Sequence, residues 1–196
     1  FDESNFQFGK LIVGSDDGIV SISNDSGKTW KSLSDNLPPD LWVSRVIFSK
    51  HEKNTIYLSL NGYRYNDFKP YIYVSNDNGD SWENISSNLP LSPVNVIRED
   101  INRKEILYVG TDNGLFISFS SGKKWHPFES SLNRVAVHDL VIQNEKNDLL
   151  VGTHGRSIYK TNLDLFNDFM IEKNGEKPLI IFEINDLKHS NSWGKK

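Results

Sequence analysis

Asp16 and Asp17 lie in the run Ser15-Asp16-Asp17-Gly18, and Asp112 lies in Thr111-Asp112-Asn113-Gly114. Two carboxylates held about 5–9 Å apart are the equipment of glycoside hydrolysis, one as acid and the other as base or nucleophile. Asp-Gly and Asn-Gly are also ordinary hairpin turns, so turn chemistry accounts for the same residues without catalysis. A second group suits recognition. Tyr63, Arg64 and Tyr65, followed by Asp67 and Phe68, combine ring faces with directional hydrogen bonds, as sugars or peptide loops require. The same rings could instead pack this stretch against a neighbouring segment. His154 and Arg156, in Thr153-His154-Gly155-Arg156, exceed what a plain turn needs. They either face a ligand or hydrogen-bond backbone carbonyls between structural units.

The elements that would position these groups are set by a repeat. Ser-x-Asp-x-Gly-x-x-Trp is spelled at Ser23, Asp25, Gly27 and Trp30, and again at Ser75, Asp77, Gly79 and Trp82. A third copy, at Ser118, Gly122 and Trp125, has Ser120 in place of the Asp. Copies starting at Ser23, Ser75 and Ser118, 52 and then 43 residues apart, mark a repeat array whose unit has the length of a propeller blade. Where it is present, the Asp can accept backbone N–H groups one or two residues on and fold the chain into a turn. The Gly takes a positive φ that a Cβ would penalise by roughly 1 kcal/mol. The Trp starts the returning strand and lays its ring over the turn. Calcium is the competing reading of Asn76-Asp77-Asn78-Gly79-Asp80, but the closing Glu of a calcium loop is missing. No metal or cofactor is expected.

Between the turns lie short runs of β-branched and aromatic residues. The first unit reads as strands near 10–14, 19–23 and 29–33, without an innermost strand. The second reads 42–48, 55–60, 71–75 and 81–85, and the third 94–98, 106–110, 115–119 and 124–128. The fourth gives 135–142, 149–152 and 157–160, then a short helix from Asp164 to Ile171 and an edge strand over 178–184. The fold class is all-β: a partial propeller, 1–184, of four-stranded antiparallel blades at about 10–36, 37–88, 89–132 and 133–184, with a loose tail over 185–196. A full ring of about six to eight blades would need more of them upstream. The chain opens on Phe1 rather than Met, which fits a piece of a longer protein.

Composition narrows the partners. A net charge of -4, from 26 acidic and 22 basic residues, supplies no basic stripe for phosphate backbones, so nucleic acid is not expected. There is no cysteine for a disulfide framework or thiolate chemistry. No apolar run approaches the roughly 20 residues of a membrane helix.

The three turn motifs, each preceded by an apolar strand, resemble the BNR or Asp-box repeats of sialidases, sortilin-type propellers and two-propeller xyloglucanases. Gly152-Thr153-His154-Gly155-Arg156-Ser157-Ile158-Tyr159 is similar to the closing blade of large bacterial sortilin-like proteins labelled glycosyl hydrolases. The resemblance implies a propeller and an extracellular, periplasmic or cell-surface location; its motif speaks to fold and not to activity. Sialidase chemistry needs three arginines on one carboxylate, and Arg45, Arg64, Arg98, Arg103, Arg134 and Arg156 make no evident trio. The xyloglucanase mechanism places two Asp residues across a cleft between two propellers, and one partial propeller cannot display that cleft.

In a propeller the motif turns occupy one rim, and the links between second and third strands open near the axis on the other face. That axial face gathers Asp16, Asp17, the insertion at about 62–70, Asp112, His154 and Arg156, with Trp42 at the start of a strand. The expected binding residues are Trp42, Tyr63, Arg64, Tyr65, His154 and Arg156, for a protein or glycan ligand. The alternative is a glycoside hydrolase whose cleft upstream blades complete.

Overall fold

The structure is a computed structural model and describes residues 1–128 and 134–164. Four antiparallel sheets follow one another along the chain. Blade 1 holds β1 (Asp2–Glu3), β2 (Leu11–Gly14), β3 (Val20–Ser23) and β4 (Lys31–Ser32), and blade 2 holds β5 (Trp42–Phe48), β6 (Ile56–Asn61), β7 (Tyr71–Ser75) and β8 (Glu83–Asn84). Blade 3 holds β9 (Val94–Glu99), β10 (Leu107–Thr111), β11 (Gly114–Ser118) and β12 (Trp125–Pro127); blade 4 holds β13 (Val137–Gln143), β14 (Asp148–Thr153) and β15 (Ile158–Asn162). Each sheet is a simple meander in sequence order, which makes the chain a partial β-propeller. The unit Phe1–Thr161 holds all of this except the last residue of β15, and a second unit begins at Asn162.

One difference from the sequence reading concerns the first blade. Blade 1 does have an innermost strand: Asp2 pairs with Ile12 and Glu3 with Leu11. A two-residue acidic strand carries no apolar alternation, so nothing in the residue pattern announces it. The helix read from Asp164 onward, the strand at 178–184 and the tail from 185 lie outside the described residues.

First strands contact one another in the order β1, β5, β9, β13 and so form the inside of the fan. The core is the set of seams between blades. Ile12, Val20 and Ile22 of blade 1 pack with Val46, Phe48 and Leu58 of blade 2; Ile47 and Ile72 of blade 2 pack with Ile97, Val109 and Trp125 of blade 3.

The motif turns are built as the sequence indicates, with one change of roles. The Ser hydroxyl is the hub: Gly27 N–H donates to Ser23 Oγ at 2.8 Å, and Gly79 N–H to Ser75 Oγ at 2.7 Å. The carboxylate reaches four residues on, where Asp25 accepts Thr29 N–H at 2.9 Å and Asp77 accepts Ser81 N–H at 2.9 Å. In the third turn Ser120 Oγ substitutes, accepting Lys124 N–H at 3.1 Å. The glycines have φ of 84°, 91° and 84° at Gly27, Gly79 and Gly122, the left-handed region expected of them.

The Trp rings do not simply cover their own turns. Trp82 Nε1 donates to the Leu33 carbonyl of blade 1 at 2.9 Å, and Trp125 Nε1 to the Ile85 carbonyl of blade 2 at 2.8 Å. Each ring therefore fastens its blade to the preceding one. The same two residues close on the turn glycines, since a Cβ on Gly79 would lie 2.4 Å from Leu33 Cδ1 and one on Gly122 2.7 Å from Ile85 Cδ1. Trp30, with no earlier blade among the described residues, donates to its own Gly27 carbonyl and remains 45% exposed.

Candidate functional site

Every inner strand from blade 2 to blade 4 carries a bulge near its start. Register shifts between Val43 and Arg45 and between Val137 and Asp139, and the partners of β9 skip from Val94 to Val96. The skipped residues, Ser44, Asn95 and His138, are thus equivalent, and an unpaired bulge residue is free to aim its side chain off the ladder. Two of them tie blades together. Ser44 Oγ donates to the Val94 carbonyl at 2.8 Å, and Asn95 Nδ2 to the Val137 carbonyl at 3.2 Å. His138 occupies the corresponding place in blade 4.

Asn95 also organises a polar ladder. It accepts from Asn61 Nδ2 at 2.9 Å and donates to Asp112 Oδ1 at 2.8 Å. Asn61 in turn accepts the Tyr63 N–H at 2.9 Å, which anchors the start of a 3-10 turn over Tyr63–Tyr65. Asn61 and Asn95 are buried and their amides are spent inside the protein, so they orient Asp112 and the turn instead of meeting solvent.

The 3-10 turn holds Arg64 over the Trp42 ring, 5.4 Å from its centroid, while Tyr63 meets Phe68 edge to face at 6.0 Å. Arg64 Nη1 lies 3.5 Å from Asp16 Oδ2, bringing the turn of blade 1 to the insertion of blade 2. Tyr71 donates to Asp67 at 2.6 Å, a bond that holds that carboxyl below its usual range and pins the far end of the insertion. On the other side the His138 and His154 rings lie 5.3 Å apart, tilted by 38°.

Together these residues line a cavity of about 480 Å³: Trp42, Asn61, Tyr63, Arg64, Asn95, Asp112, Ala136, His138 and His154. It opens where the inner strands begin, on the face away from the motif turns. Four of the six expected binding residues line it: Trp42, Tyr63, Arg64 and His154. Tyr65 is on the same 3-10 turn but points elsewhere, 63% exposed, and Arg156 is exposed outside the cavity. Of the carboxylates, Asp112 lines the cavity whereas Asp16 and Asp17 do not. Asp17 accepts from the Ser15 hydroxyl and the Ile19 N–H, and the Ser15 bond first among these holds its pKa below the usual range, as a turn carboxylate. His138 is the residue that sequence reasoning passed over. A His among the apolar residues of β13 reads as ordinary strand until the bulge turns it inward.

Among the described residues, no group of three or more His, Asp or Glu is placed to hold a metal ion, and no helix is long and apolar enough to cross a membrane.

No protein-family model matches the chain. The vacuolar protein sorting/targeting protein PEP1 of Saccharomyces cerevisiae is 29% identical over 96 residues, which is 49% of this chain and 5% of that protein. Among solved structures, the GH74 xyloglucanase of Xanthomonas campestris superposes with a TM-score of 0.63 at 14% identity, over 84% of this chain and 29% of that one. YCF48 bound to D1 peptide gives 0.60 at 16% identity, over 83% of this chain and 50% of that one. The chain thus spans a small part of PEP1 and at most half of these two structures. The likeness establishes the propeller fold.

Proposed function

We propose that this chain is part of a BNR or Asp-box propeller that binds a protein or glycan ligand at the cavity between Trp42 and His154. The cavity itself carries the reading. At about 480 Å³ it is of ligand size, and ring faces, an arginine and an oriented carboxylate converge on it from blades 2, 3 and 4. The PEP1 and YCF48 likenesses agree with a binding role, because the latter structure holds a peptide. Further blades of the same protein would pack on the end blades, where Val13, Ile19, Val141 and Ile158 are exposed. An extracellular, periplasmic or cell-surface location goes with this reading through the likenesses to PEP1 and to the xyloglucanase.

The alternative is a glycoside hydrolase with its cleft completed by upstream blades. The GH74 likeness and the position of Asp112 in the cavity favour it. A glycan and peptide array, followed by single substitutions in the full-length protein, tests both. Loss of binding in Tyr63→Ala and Trp42→Ala supports the binding module. Loss of turnover with binding retained in Asp112→Asn supports the hydrolase and overturns the first reading.

A further inference from the structure

Beyond their bulges the inner strands carry a second arrangement of charge, which lines a different cavity. Arg45 follows the bulge of β5 and Asp139 holds the same place in β13, while Arg98 lies further along β9. Arg45 Nη2 is 2.7 Å and Arg98 Nη2 3.5 Å from one oxygen, Asp139 Oδ1. That oxygen also accepts the Leu140 N–H at 2.9 Å, and Arg98 Nε donates to the Leu140 carbonyl at 2.7 Å. The two guanidiniums line a cavity of about 280 Å³ with Lys50, Asp2 and Glu99, walled by apolar residues of β5 and β13.

Three cationic side chains, Arg45, Arg98 and Lys50, line this cavity beside two carboxyls, Asp2 and Glu99, that already accept hydrogen bonds within the protein. Asp2 is engaged by the Phe48 N–H at 2.9 Å. Glu99 accepts from the Ser49 hydroxyl, the Lys50 N–H and the Tyr57 hydroxyl, and burial raises its pKa against them. Asp139 is the carboxylate within ion-pair distance of both arginines. The buried Arg45 Nε has no hydrogen-bond partner. Burial and then the neighbouring Arg45 charge lower the Arg98 pKa, with Asp139 and Asp2 opposing them. A guanidinium has more N–H donors than these contacts use, and its fork matches carboxylate and phosphate oxygens.

We propose that this cavity is an oxyanion-binding site in which Arg45 and Arg98 clamp a phosphate or carboxylate group, with Asp139 holding the pair together until the anion arrives. The group comes either as a free small anion or on an acidic segment of a partner protein; the chemistry at the arginines is the same.

The test is calorimetric titration and thermal melting of the intact protein with inorganic phosphate, with a short oligo-aspartate peptide, and with chloride at matched ionic strength. Phosphate or the peptide should bind and raise the melting midpoint where chloride does not; whichever binds more tightly identifies the source. Arg98→Gln should weaken binding about tenfold or more. Asp139→Asn should tighten it, because the internal competitor is gone. Tyr63→Ala, in the other cavity, should leave it unchanged, so failure here is separable from failure of the ligand reading above. Absence of anion-specific binding in both the natural protein and Asp139→Asn overturns the proposal, as does equal binding in Arg98→Gln. Should Arg98→Gln not fold, Asp139→Asn decides alone: tighter binding supports the site, and unchanged or weaker binding refutes it.

Discussion

Arg45 and Asp139 meet at 2.7 Å although their strands, β5 and β13, belong to blades separated by a whole intervening sheet. The contact spans the inside of the fan, past β9. Because the two side chains are 30% and 53% exposed, solvent screens the pair, and its coupling should be about 0.5–1 kcal/mol. A double-mutant cycle of Arg45→Ala and Asp139→Ala, read by denaturant unfolding, checks that range.

The Trp rings should differ sharply in what they contribute. Trp125 is 1% exposed and bonded into blade 2, so Trp125→Ala should cost about 3–5 kcal/mol. Trp30, nearly half exposed and bonded to its own turn, should cost far less. Denaturant midpoints of the two variants measure the difference, and ligand affinity of the folded fraction should be unchanged in both.

Acid should loosen the motif turns. Hydrogen bonds from Thr29 and Ser81, hydroxyl first and N–H next, pull the carboxyls of Asp25 and Asp77 down to about 2. Their folded pKa lies below the unfolded value of about 3.9, so their contribution is complete above about pH 4 and disappears between about pH 4 and pH 2. Stability measured across that window should slope less steeply in Asp77→Asn than in the natural protein.

Arg64 lines the cavity of about 480 Å³ and lies over the Trp42 ring. Such a stacked cation contributes about 0.5–1 kcal/mol at an exposed site, so Arg64→Ala should leave stability nearly intact. It should nevertheless shift the Trp42 emission and weaken any ligand identified by array. Unaltered binding alongside a lowered melting point would show that Arg64 only props the insertion against Asp16.

Much of this architecture was legible in the residues because each blade repeats the same local decisions. Strands of β-branched and aromatic residues, a Gly at positive φ and a Ser-x-Asp turn are consequences of nearest neighbours, and the spelling exposes them. Asp67 illustrates the boundary: its residue type suggested a ligand contact, but its bond to Tyr71 is set by the path of the insertion. His138 lay beyond reading for another reason. Its role follows from a bulge, and a bulge is a property of two paired strands. The partners of Trp82 and Trp125 are likewise about 50 and 40 residues back along the chain, where turn chemistry carries no information.

The backward reach of those two rings gives the array a direction in time. Leu33 presents its carbonyl and side chain before Trp82 has been synthesised, and Ile85 waits in the same way for Trp125. A nascent chain leaving the ribosome therefore exposes the rear of each blade until the next has emerged, and then seals it. In a chain made from its N-terminus, the newest of these blades is the one whose receptor for the next ring still stands open.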